Sequence, residues 1–144
     1  MQTIRRITLA TTLAALAWLP LAGTSALAAD KANKIVFQVS DADPGKWNLA
    51  LNNAANVQHD LGKDNVAIEI VAYGPGIGML KMESTVGARV TAALESGVAV
   101  VACENTMKAQ KLTQQDMLPK IGYVPAGVVE LMKKQQEGYA YIRP

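Results

Sequence analysis

Three short runs rich in β-branched residues recur along this chain, KIVFQVSD at 34–41, NVAIEIVAYG at 65–74 and VAVVAC at 98–103, with helical periodicity between them. Runs this short and this continuously apolar read as strands buried on both faces. Between the first two, Trp47, Ala50, Leu51, Ala54, Val57 and Leu61 return at helical spacing, and Gly62 is placed to end that helix. Pro44 and Gly45 in DADPGKW end the first strand. Between the second and third, Val86, Val90, Ala93 and Leu94 share one helical face, with Gly97 as a stop. Beyond the third run, ENTMKAQKLTQQDML holds a short helix and a capping signal at Thr113. KIGYVP reads as a short fourth strand, AGVVELMKKQQEG as a helix carrying Val128, Leu131 and Met132, and YAYIRP as a last strand. Strands alternating with helices at this spacing predict an α/β fold, a mostly parallel sheet of about five strands with helices on both faces. No internal repeat and no linker interrupts the pattern, so residues 29–144 are expected to form one domain.

The first residues follow a different logic. MQTIRRITLATTLAALAWLPLAGTSALAAD opens with Arg5 and Arg6, continues through an apolar stretch from Ile7 to Leu21, and closes with small residues in which Ala26-Leu27-Ala28 forms an A-x-A cleavage signal. Pro20 and the small-residue flank argue against a permanent span, which needs roughly 20 predominantly apolar residues. Residues 1–28 therefore read as a cleavable signal peptide and the rest as an exported, periplasmic protein. Thr8 stands where a twin-arginine signal wants a bulky apolar residue, so the general secretory route is expected. The segment takes two of the 14 basic residues and none of the 12 acidic ones, which leaves the exported part with 12 of each. With no basic run interleaved with aromatics, nucleic-acid binding has no support. No membrane attachment is expected after cleavage.

In a parallel sheet, ligands collect beyond the carboxyl ends of the strands. That rule selects Ser40–Lys46, Tyr73–Met82, Cys103–Met107 and Val124–Gly127. Gly74, Gly76 and Gly78 follow Tyr73 in the pattern G-x-G-x-G, which is neither a dinucleotide fingerprint nor a P-loop. It reads as a turn needing positive φ, or as a flap or backbone nest over a pocket. His59 is the one histidine and sits where it can cap the end of the first long helix, so no metal site and no cofactor are expected. Trp47 reads as a core residue, and Tyr123, Tyr139 and Tyr141 as sheet or subunit-interface residues.

Cys103 is the single cysteine, so no internal disulfide forms. If it ends the third strand, its thiol meets the start of the next helix, where N–H groups favour the thiolate. A buried strand cysteine that only packs is the other reading. There is no C-x-x-C, which argues against dithiol oxidoreductase chemistry.

GVAVVACENTMKAQKLTQQDML and GYVPAGVVELMKKQQEGYAYIRP resemble the DsrE/DsrF-like family, the superfamily of the sulfur-relay proteins DsrE and TusD, over about residues 34–144. The resemblance is nearest to the small exported branch. It implies a three-layer α/β/α sandwich, assembly as a homo-oligomer (a trimer or hexamer), and a persulfide on the cysteine after a central strand, which is Cys103 here. The relay proteins work in the cytoplasm, and beyond the cysteine and its strand their local sequence is not repeated here.

Three functions follow. In the first, Cys103 takes sulfane sulfur from a small sulfur species or a donor protein, with Asn105, Thr106 and backbone N–H groups stabilising the anion. The Tyr73–Met82 loop, with Gly74, Gly76 and Gly78, would gate it. In the second, the protein is a non-catalytic oligomer that binds a small ligand or partner, and Cys103 packs. In the third, Cys103 forms an intermolecular disulfide.

Overall fold

A computed structural model describes residues 31–144; the expected signal peptide and its cleavage site lie outside the described residues. Five strands, β1 (Asn33–Val39), β2 (Val66–Ala72), β3 (Ala99–Cys103), β4 (Gly122–Val124) and β5 (Ala140–Ile142), form one sheet in the order β4-β3-β2-β1-β5. Every neighbouring pair is parallel. Four helices connect them: α1 (Pro44–Leu61), α2 (Gly87–Glu95), α3 (Glu104–Ala109) and α4 (Gly127–Gln136). The chain steps outward from β1 to β4 and then returns across the sheet to lie beside β1 as β5. Because parallel crossovers are right-handed, the outward connections lie on one face and the return connection on the other. This reversal creates the third layer.

The larger core lies under α1 and α2, where Trp47, Ala50, Leu51 and Val90 bury Phe37, Ile70 and Val100. The smaller core lies under α4, where Leu131 meets Val36 and Val71, flanked by Tyr73, Val101 and Tyr139. Alternate residues of β3 divide between them: Val100 and Ala102 face α1 and α2, and Val101 faces α4.

Several expectations gain a physical reason. Asp43 caps α1 by accepting from the Gly45 N–H at 2.8 Å. Pro44 therefore opens the helix, its missing N–H costing nothing there, rather than marking a loop. Trp47 is buried, and its indole N–H donates to the Asp41 carbonyl at 2.7 Å. The apolar stripe is shorter than its spacing suggests, because Leu61 is exposed at the helix end. On α4 only Leu131 of the three apolar positions is buried; Val128 and Met132 face outward together with Val129. Tyr123 packs against the larger core, Tyr139 faces the Lys134 ammonium, and the Tyr141 hydroxyl donates to Gln38.

One buried polar group faces α4. Glu69 of β2 lies 3.4 Å from Lys134, which also reaches Glu130 and Glu137. Its Oε1 has no hydrogen-bond partner among the described residues. Burial pushes the Glu69 carboxyl above its ordinary value despite Lys134, a cation that it shares with two other acids. Lys134 is held above its ordinary value, because its acidic neighbours, Glu69 first, outweigh its burial. The native state thus binds the Glu69 proton more tightly than the unfolded chain. Its contribution to stability falls as pH rises from the ordinary value of 4.5 through the raised one. Glu69→Gln should remove that fall and leave stability at neutral pH equal or higher. Urea unfolding of both proteins across this pH window is the check.

Candidate functional site

The ends of β2, β3 and β4 are tied together around Cys103. Cys103 closes β3, is paired in register with Val124 of β4, and serves as the N-cap residue of α3 with extended backbone angles. It is buried, with 4% of its surface exposed. The Asn105 N–H donates to the Pro125 carbonyl at 3.2 Å, which holds the start of α3 to the loop before α4. From the other side, the Gly74 N–H donates to the Thr106 hydroxyl oxygen at 2.9 Å, and the Gln110 amide donates to the Gly74 carbonyl at 3.3 Å.

Two opposed effects act on the thiol. Burial pushes its pKa up. The Thr106 side chain and the backbone N–H groups of Gly127, Thr106 and Asn105 outweigh burial and bring the Cys103 thiol below its ordinary value of 9.0. Thr106 can donate to sulfur because its oxygen already accepts from Gly74, which leaves its own hydrogen free. The Gly127 N–H comes from the first residue of α4, so donors from two helix starts converge on one sulfur.

The site residues expected from sequence are met unevenly. Thr106 acts through its hydroxyl and its backbone, whereas the Asn105 side chain is exposed and its backbone N–H, shared with the Pro125 carbonyl, makes the smallest contribution. Tyr73 is half-buried and lies directly against Gly127, where an added Cβ would come within 2.9 Å of the Tyr73 Cβ. The expected flap takes another form. Gly74–Leu80 is a 3-10 helix with Gly76, Ile77, Met79 and Leu80 buried, so it is a packed element and not a loose loop. Of Gly74, Gly76 and Gly78, only Gly74 has positive φ. Gly76 rests on the backbone of Val39 and Ser40, and Gly78 on Trp47. Gly74 bonds Thr106, while Gly76, buried, and Gly78, half-buried, let the element sit against β1 and Trp47. Ser40–Lys46, the remaining strand end, leads away to a surface ion-pair cluster in which Asp41 meets Lys46 and Arg143.

Sequence reasoning reaches Gly127 only as the end of the stretch Val124–Gly127, without a role at the thiol, and misses Gln110. Gly127 carries a signal, as a glycine closing the stretch beyond β4; Gln110 carries none. His59 is exposed, 2.9 Å from Asp60, at the end of α1 remote from Cys103. Among the described residues no group of three or more His, Cys, Asp or Glu side chains could hold a metal ion.

Comparison with known proteins agrees with this fold. The model of the DsrE/DsrF-like family matches residues 33–144. A protein of unknown function from Methanobacterium thermoautotrophicum, MTH1491, is similar in structure, with a TM-score of 0.74 and 34% identity, covering 78% of this chain and 99% of its own. The BT1422 protein of unknown function from Bacteroides thetaiotaomicron has a TM-score of 0.65 at 15% identity, covering 78% of this chain and 95% of its own. The ychN protein from E. coli has a TM-score of 0.60 at 12% identity, covering 78% of this chain and 99% of its own. These last two likenesses concern the fold alone. No curated protein matches the chain.

Proposed function

Because the chain belongs to the DsrE/DsrF-like family, we propose that it carries sulfane sulfur on Cys103 as a persulfide. The observation that carries this reading is the placement of Cys103, buried at the end of β3 and at the N-cap of α3, where the Thr106 side chain and nearby backbone N–H groups favour the thiolate against burial. A cysteine that merely packs needs no such donors. In the step proposed, the Cys103 thiolate attacks the outer sulfur of a persulfide or polysulfide donor. A new S–S bond forms to Cys103, the donor's S–S bond breaks, and the donor leaves as a thiolate with the electron pair. No external oxidant is consumed. The donors that held the thiolate then face the persulfide. An acceptor thiolate attacks its terminal sulfur, an S–S bond forms to the acceptor, the S–S bond to Cys103 breaks, and Cys103 leaves as the thiolate with the electron pair.

Access is the other requirement. With the 3-10 helix packed, the gate narrows to Tyr73, which lies beside the thiol frame on Gly127. The exposed apolar side of α4, with Val128, Val129 and Met132, supports assembly with further copies, and the family resemblance implies that these form a trimer or hexamer. The N-terminal segment supports export to the periplasm, where residues 29–144 would work as one domain. No helix among the described residues is long and apolar enough to cross a membrane.

The burial of Cys103 favours one second reading, a non-catalytic oligomer that binds a ligand or partner while the cysteine packs. An intermolecular disulfide has less support, since a sulfur this buried would have to leave its frame to meet another chain. Intact mass after brief exposure to polysulfide or thiosulfate, with and without reductant, separates these readings. The expected result is a reductant-sensitive gain of sulfur on the native protein and none on Cys103→Ser. An unchanged mass would give the lead to the packing role.

A further inference from the structure

The face of the sheet opposite α4 carries a groove of about 290 Å³ between α1 and α2. Its walls are Leu51, Ala54, Ala93 and Val98, small or apolar residues that leave the seam between the helices unfilled. The volume is near the lower end of the range for small-molecule sites, about 300–1,000 Å³. Two polar groups at the groove satisfy each other. The Gln58 amide donates to the Ser96 carbonyl at 2.9 Å, and the Ser96 hydroxyl donates to Gln58 at 3.0 Å. They place no demand on a ligand.

Arg89 differs. It lines the groove at an exposed position, and its guanidinium donates to the side-chain oxygens of Asn48 and Asn52, one turn apart on α1. Among the described residues no carboxylate pairs with it. Two neutral amides thus position the cation without neutralising it. A guanidinium has five N–H donors, so donors remain for an anion. A single fixed cation beside apolar walls suits one negative charge on an apolar body.

We propose that this groove binds a monocarboxylate with a short aliphatic tail, the carboxylate on Arg89 and the tail along the seam over Leu51 and Val98. Such binding is independent of the chemistry at Cys103, which lies at the end of β3.

Titrating the exported protein with octanoate, octanol and acetate by heteronuclear NMR tests it. Octanoate should shift amide resonances of α1 and α2. Octanol should bind about tenfold more weakly, as expected when a hydrogen bond to a charged group is lost, and acetate more weakly than octanoate because it lacks the apolar tail. Arg89→Gln should reduce octanoate to the level of octanol. Ala92→Leu, at an exposed position lining the groove, should block binding without loss of thermal stability. Equal binding of octanoate and octanol would overturn the proposal, as would shifts confined to α4 or the absence of shifts.

Discussion

Gly76→Ala is expected to destabilise the protein by about 3 kcal/mol, the upper part of the usual range for overpacking a filled core. A Cβ at this position would lie 2.3 Å from the Val39 carbonyl oxygen, 2.6 Å from the Val39 carbonyl carbon and 2.9 Å from the Ser40 Cα. All three are backbone atoms at the end of β1, whose Val39 carbonyl also accepts from the Tyr73 N–H at 3.1 Å. None can rotate away as a side chain would. Relief requires the 3-10 helix to lift off the strand, which would draw Ile77 and Met79 from the core and pull Gly74 from Thr106. Denaturant unfolding should show the loss of stability. If the protein survives, Cys103 should also become easier to alkylate. A stability within experimental error of the parent would mean that the element is not seated as described.

The second large effect falls on the thiol itself. Thr106→Val keeps the shape of the side chain but removes both the acceptor used by the Gly74 N–H and the hydroxyl directed at Cys103. The thiol should rise toward or beyond its ordinary value, because burial persists while the first of its opposing donors is gone. Loading with polysulfide at neutral pH should slow about tenfold, the equivalent of losing one hydrogen bond to a charged group. Thiolate absorbance followed against pH reports the same change without any sulfur donor. Thr106→Ser, which restores a hydroxyl, should recover most of the rate. Equal behaviour of the valine and serine variants would mean that the hydroxyl has no part in holding the anion.

The parts of this fold that are legible in the sequence are those set by local pattern. β1, β2 and β3 announce themselves because strands covered on both faces are continuously apolar. Gly62 and Gly97 mark the ends of α1 and α2, both with positive φ. Cys103 can be placed at the junction of β3 and α3 because apolar residues give way there to Glu104, Asn105 and Thr106. What escapes local pattern depends on which element covers which. Val128 and Met132 look like core positions by spacing, yet α4 crosses the sheet alone and only Leu131 meets Val36 and Val71. The glycines after Tyr73 look like a turn needing positive φ, or a flap or nest, which holds for φ at Gly74 alone; the constraint on Gly76, the backbone of β1 beneath it, is a contact across more than thirty residues. Gly127 reaches Cys103 through the pairing of β4 with β3.

A buried thiol within a frame of donors and a buried thiol that only packs differ most plainly in how native Cys103 reacts with an alkylating reagent as pH is raised. A thiolate held by Thr106 and three backbone N–H groups should be labelled in the folded protein, at a rate that climbs with pH and levels off below the ordinary thiol value of 9.0. A Cys103 that stays unlabelled at every pH until the protein is unfolded would contradict a sulfur-carrying role.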